Sequence, residues 1–131
     1  MKTREAVVAG SFYPGTKKEI DNLLDRIYSN EKQQIRTELA SRNLIGAVVP
    51  HAGYIYSAYE AVHVFEILKK SPVQYDTFFI INPNHTGYGK EIEVDDNERW
   101  GTPLGYVETD TDFKRHLDLP VSDMAQLREH S

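Results

Sequence analysis

Apolar residues recur at helical spacing in two stretches of the chain. Ile20, Leu23, Leu24, Ile27 and Tyr28 mark one face of an amphipathic helix. Thr16 and Glu19 stand ahead of it in the spacing of a capping box. Ala58, Ala61, Val62, Phe65 and Leu68 predict a second helix, behind a similar Ser57–Glu60 pair. Lys69 and Lys70 suit its C-terminal turn, and Pro72 lies just beyond. Two short runs are apolar without alternation: Leu44 to Val49 and Thr77 to Ile81. Both read as buried strands. The order strand, helix, strand then predicts a parallel pair with a right-handed crossover.

The remaining stretches carry weaker patterns. Residues 6–16 read as an extended piece followed by a turn at Pro14-Gly15, and residues 30–43 fit either a loop or an exposed helix. Residues 91–96 and 105–108 predict short strands, separated by a turn-rich loop, ERWGTPLG. Thr111 to Leu117 predicts a short helix. A last helical stretch from Ser122 runs to the final residue with no stop signal. The expected architecture is α/β, a three-layer αβα domain around a mostly parallel or mixed sheet. Residues 1–131 are expected to form a single domain that is incomplete at its C-terminal side.

Composition narrows the classes of function. The chain has 131 residues, 40% of them hydrophobic and 27% charged, which is the profile of a globular domain. Its formal net charge of -5 argues against nonspecific binding of nucleic acid, which needs a basic surface. No segment reaches the roughly 20 apolar residues that span a bilayer, and no signal peptide is evident, so cytoplasm is the expected compartment. With no cysteine, disulfides and thiolate metal ligands from these residues are excluded.

Candidate chemistry gathers where the apolar runs end. VVPHAGYIYSAYEAV presents His51 just after Val49, and FFIINPNHTGYG presents His85 shortly after Ile81. In a parallel sheet both loops leave the same edge, where ligands of open α/β folds bind. Neutral imidazole suits Zn, Fe, Cu or Ni. Gly53 and Gly87 allow close backbone approach or positive φ, and Pro50 and Pro83 restrict the loops. Tyr54, Tyr56 and Tyr88 are candidates to line a cavity and orient a ligand. The other readings are plainer: a single loop histidine is usually structural or solvated, and the tyrosines can simply pack. His63 is expected on the second helix in a structural role, and His116 in solvent. Spacing leaves His130 undecided. Asp95-Asp96 and Asp110/Asp112 read as turns or helix caps.

The segments REAVVAGSFYPGT, VVPHAGYIYSAYEA, INPNHTGYG, WGTPLG and REHS, in this order, closely resemble the Memo family, also called AmmeMemoRadiSam system protein B. The resemblance runs from about Arg4 to Ser131 and covers the first half or so of a family member. It departs from many members at Ser57-Ala58, where Ser-Gly is common, and at Asn82-Pro83, where Gly-Pro is common. The family resembles class III extradiol dioxygenases in fold, which implies a non-haem metal with His51 and His85 as ligands. Iron is the first expectation, with copper or zinc as alternatives. In Memo-like proteins the third ligand is thought to be a cysteine further downstream. Glu129, His130 and Ser131 match a family motif near the cleft.

Two functions follow from this resemblance. One is a dioxygenase-like oxidoreductase acting on a small aromatic substrate, with Tyr54 or His130 in proton transfer and Tyr54, Tyr56 and Asn84 binding substrate. The other is a non-enzymatic scaffold that binds a peptide or handles a metal. Metal-assisted hydrolysis with Zn is a weaker third, because no HExxH-type signature is present. AMMECR-like and radical SAM proteins are the functional partners the resemblance implies; no nucleic acid and no membrane are expected.

Overall fold

A computed structural model describes residues 1–130. The chain divides into two compact units, one of residues 11–78 and the other of residues 1–10 with 79 onward. Helices coexist with parallel and antiparallel strand pairs, so the fold class is α/β, as the patterning predicts.

The 11–78 unit is built on two helices, α1 (Lys17–Glu31) and α2 (Tyr54–Lys70). α1 starts where the capping box predicts. The Glu19 amide donates to Thr16 Oγ1 at 3.3 Å, and the Thr16 hydroxyl donates to Glu19 Oε2 at 2.7 Å. Its apolar stripe buries Ile20, Leu23 and Ile27. Leu23, Ile27 and Ala58 form a core against which Leu24, Tyr54, Tyr59 and Val62 pack. His63 sits on α2 and meets Glu31 Oε2 at 3.2 Å, the structural role its position suggests. The ambiguous segment after α1 holds a 3-10 turn over Thr37–Ser41, pinned by buried Ala40.

α2 begins four residues earlier than its Ser57–Glu60 pattern suggests. Gly53 is the N-cap residue, and Ser57 is a buried helical residue rather than a cap. The Ser57 hydroxyl instead donates backward, to the Ala52 carbonyl at 2.7 Å and the Gly53 carbonyl at 3.3 Å. A serine can satisfy carbonyls one turn back as readily as it caps amides ahead.

Among the described residues, the other unit carries the strands: β1 (Thr3–Arg4), β2 (Val94–Asp95), β3 (Arg99–Thr102), β4 (Gly105–Glu108) and β5 (Val121–Ser122). β3 lies between β1, which it pairs in parallel, and β4, which it pairs antiparallel. β2 and β5 form a separate parallel pair. The turn-rich loop expected before Gly105 is therefore half strand: Arg99–Thr102 and Gly105–Glu108 make a hairpin around Pro103-Leu104. Two cations lie over rings in this sheet, Arg4 over Trp100 at 4.3 Å and Arg99 over Tyr106 at 4.1 Å. A short helix, α3 (Thr111–Arg115), is capped by Asp110, which accepts from the Phe113 amide.

Several sequence expectations fail. Neither residues 44–49 nor 77–81 form a strand. A strand needs a ladder partner, and β-branched and aromatic residues favour one only where neighbours cover them. Here Ile45, Val48 and Ile81 are 95%, 96% and 87% exposed, and Phe78, Phe79 and Ile80 are also exposed. The parallel strand pair expected around the second helix is thus not formed. Residues 7–12 turn rather than extend. The final helix is reduced to β5 and a three-residue 3-10 turn, Ala125–Leu127. Ser131 lies outside the described residues.

Ile27 is fully buried at the centre of the α1–α2 core. Ile27→Ala is expected to destabilise the fold by about 2–5 kcal/mol through lost transfer energy and the cavity left behind. Urea unfolding, with an unchanged m-value, measures it.

Candidate metal centre

His51, His85 and His130 each offer a ring nitrogen able to ligate a metal ion. His51 belongs to the 11–78 unit and the other two to the second unit.

In the 11–78 unit, His51 is exposed on the loop that leads into α2. The backbone just after it is fixed on both sides. Ser57 holds the Ala52 carbonyl from inside the helix. The Tyr54 amide donates to the Phe12 carbonyl at 2.7 Å. Gly53 passes so close to that carbonyl that a Cβ would stand 3.3 Å from it, the close approach for which a glycine is suited.

Tyr54 and Tyr56 begin α2 and part company. Tyr56 is exposed. Tyr54 packs against the α1–α2 core, with its ring tilted on Tyr13 at 5.4 Å between centroids. Burial pushes the Tyr54 phenol above its ordinary value, and the neighbouring Tyr13 adds to the rise. It therefore keeps its proton near neutral pH.

In the second unit, His85 sits on a loop that builds its own shape. Asn84 Oδ1 accepts from the Gly87 amide and the Thr86 hydroxyl, both at 3.0 Å, and Asn84 Nδ2 donates to the Tyr88 carbonyl at 2.6 Å. The side chain proposed from sequence to bind substrate is thus engaged within its loop. Gly87 takes a φ of +71° to close the turn, a conformation L side chains rarely adopt.

The loop is anchored by Glu129, whose side chain is 0% exposed. Glu129 Oε2 accepts from the His85 amide at 2.7 Å, and Oε1 lies 2.8 Å from His85 Nδ1. Oε1 also accepts from the His130 amide at 2.9 Å. The His130 ring stacks on His85, with centroids 4.3 Å apart and planes 25° from parallel. From β1, Arg4 Nη2 donates to the Glu129 carbonyl at 2.7 Å. Spacing alone does not find Glu129 or Arg4 as elements of this site. Only the Glu-His-Ser motif flagged the first, and Arg4 stood merely at the edge of a matching segment.

The donor set fits a metal. A carboxylate on one nitrogen of a histidine ring is the partner that metal-ligating histidines commonly have, and it raises ligand basicity. Imidazole donors without thiolate suit Fe, Zn, Cu or Ni.

The sequence model described as "Memo-like protein" matches residues 4–131. The chain belongs to the Memo family. A MEMO1 family protein of Methanosarcina barkeri is 37% identical over 131 residues, covering 98% of this chain and 45% of its own length. Those of Methanococcoides burtonii and Aquifex aeolicus are 39% and 37% identical. They cover 98% and 100% of this chain, and 46% and 47% of their own lengths. The Memo-like chain thus spans about half the length of the curated relatives it matches. No solved structure matches it. No helix among the described residues is long and apolar enough to cross a membrane.

Tyr54 is expected to ionise above the ordinary tyrosine value of 10.0, given its burial. A spectrophotometric titration of phenolate should show a late-titrating tyrosine that disappears in Tyr54→Phe. If the titration curves of the two proteins differ only by an ordinary tyrosine, the burial of this phenol is wrong.

Proposed function

We propose that this Memo-like chain supplies the histidine part of a mononuclear metal site in a dioxygenase-like oxidoreductase. His51 and His85 are the ligands, and iron is the preferred ion. The observation that carries the reading is the pairing of His85 Nδ1 with a fully buried carboxylate, the arrangement used to prepare an imidazole for ligation. Family membership supports it, as does the loop geometry at Gly53 and Gly87, the two glycines in the histidine motifs. When bound, the ion contributes Lewis-acid and one-electron redox chemistry toward dioxygen and a chelating aromatic substrate.

The chain's own residues divide the remaining work. His85 is held by Glu129, and His130 stacks on it as the nearer candidate for moving a proton. Tyr54 keeps its proton near neutral pH, so as a proton donor it would serve only a strongly basic acceptor. Tyr56, exposed two residues further on, offers a phenol to a substrate. Asn84 supports the site by shaping the His85 loop, and its part in substrate binding is indirect.

A second reading is a scaffold that handles a metal or binds a peptide without turnover. The packing of Tyr54 into the helical core favours it, because that phenol is used for stability.

Elemental analysis of the purified full-length protein tests the proposal. It is expected to carry close to one equivalent of metal, mainly iron, and to lose it in both His51→Ala and His85→Ala. Oxygen uptake with a catechol as probe separates the oxidoreductase from the scaffold. Absence of stoichiometric metal, together with failure to take up added Fe(II), Cu(I) or Zn(II), would sink the metal site.

A further inference from the structure

We propose that Glu129 is the positioning residue that fixes His85 in a single tautomer, with the proton on Nδ1 and the lone pair on Nε2. This deepens the metal reading above and rests on it for its consequence, though the tautomer itself can be observed without any metal.

The argument begins with donors and acceptors. Glu129 is sealed from solvent and its two oxygens face N–H groups: the His85 amide at 2.7 Å on Oε2 and the His130 amide at 2.9 Å on Oε1. Backbone amides can only donate, so both oxygens already act as acceptors, the arrangement that suits a carboxylate. His85 Nδ1 lies 2.8 Å from Oε1, and an N–H at that position adds a further donor to an accepting oxygen. The proposed tautomer therefore places the ring proton on Nδ1. In the neutral ring Nε2 is then the basic nitrogen, the one able to ligate an ion.

Orientation is fixed along with tautomer. One carboxylate grips both the backbone and the ring of His85, which leaves the imidazole little freedom about its side-chain torsions. The stacked ring of His130 covers one of its faces. Arg4 holds the Glu129 backbone from β1, and its guanidinium rests over Trp100 of β3. The carboxylate is thus tied to a sheet. Held this way, His85 avoids the loss of affinity that accompanies sorting two tautomers and several rotamers when an ion binds. Changes to such supporting carboxylates typically weaken metal binding by about 10–100-fold.

The test uses metal-free full-length protein labelled with ¹⁵N in its histidines. Spectra are recorded over an alkaline pH series and read where the nitrogen shifts show the His85 ring to be neutral. Long-range proton–nitrogen spectra are expected to show His85 with a protonated Nδ1 and a bare Nε2. In Glu129→Gln, whose amide can either donate or accept, a mixture of the two tautomers is expected. Zn(II) affinity, read by competition with a chromophoric chelator, should fall about 10–100-fold. An unchanged tautomer and unchanged Zn(II) affinity in a folded Glu129→Gln variant would overturn the proposal. Should that variant fail to fold, the parent spectrum decides alone, since a protonated Nε2 contradicts it. If the parent protein shows the expected tautomer but binds no Zn(II), Fe(II) or Cu(I), the metal reading fails while the hold of Glu129 on the ring stands.

Discussion

A carboxylate with no access to water constrains everything around it. Removing such a charge from solvent costs several kcal/mol even after relaxation, and only well-placed donors offset that penalty. Glu129 collects them from His85 and His130, and its carbonyl receives a further donor from Arg4. The demand runs outward from there. For the His85 amide and ring to reach the same carboxylate, the loop of residues 84–88 must be tightly turned. Asn84 and the positive φ of Gly87 supply that turn. For the segment at 129 to stay in place, it must be fastened to the sheet. Arg4 does this while covering Trp100, whose indole nitrogen in turn donates to Asp95 of β2. A histidine loop, the segment at 129 and two pieces of sheet are organised around one buried carboxyl group.

The 11–78 unit relies on different physics. Its stability comes from the apolar stripe of α1 meeting Ala58 and the aromatic ring of Tyr54 on α2. The same helix start that buries Tyr54 also places the loop of His51, through the hydroxyl of Ser57 and the carbonyl of Phe12. Packing and presentation of the histidine are therefore not separable. Tyr54 serves the core, and its burial is what holds its proton in place.

Legibility in the sequence followed the range of the interactions involved. α1 could be read with its cap because the Thr16–Glu19 bond spans three residues and the stripe repeats every turn. α2 could be read as a helix, yet its start was misplaced. A serine near a helix N-terminus looks the same whether it caps forward or, like Ser57, bonds backward. The runs at 44–49 and 77–81 were read as strands from side-chain type alone, and side-chain type does not say whether a partner strand exists. β3 went unseen because Gly101, Pro103 and Gly105 suggest turns, while the pairing of Arg99 with Glu108 and Trp100 with Val107 is a property of two segments together. The same holds for the site. His51 and His85 stood out within local motifs. Glu129, 44 positions from His85, carried no periodic or compositional mark, and only the family motif drew attention to it. Long-range pairing of polar groups leaves almost no trace in a single sequence.

The bond between Arg4 and Glu129 joins residues 125 positions apart. During synthesis Arg4 emerges early and must wait for residue 129 before its partner exists, whereas the contiguous 11–78 unit has all its residues sooner. Contacts that close so long a loop slow folding and form late. His85 and the carboxylate that grips it are 44 positions apart, so this loop too is organised only once the segment at 129 has joined the unit.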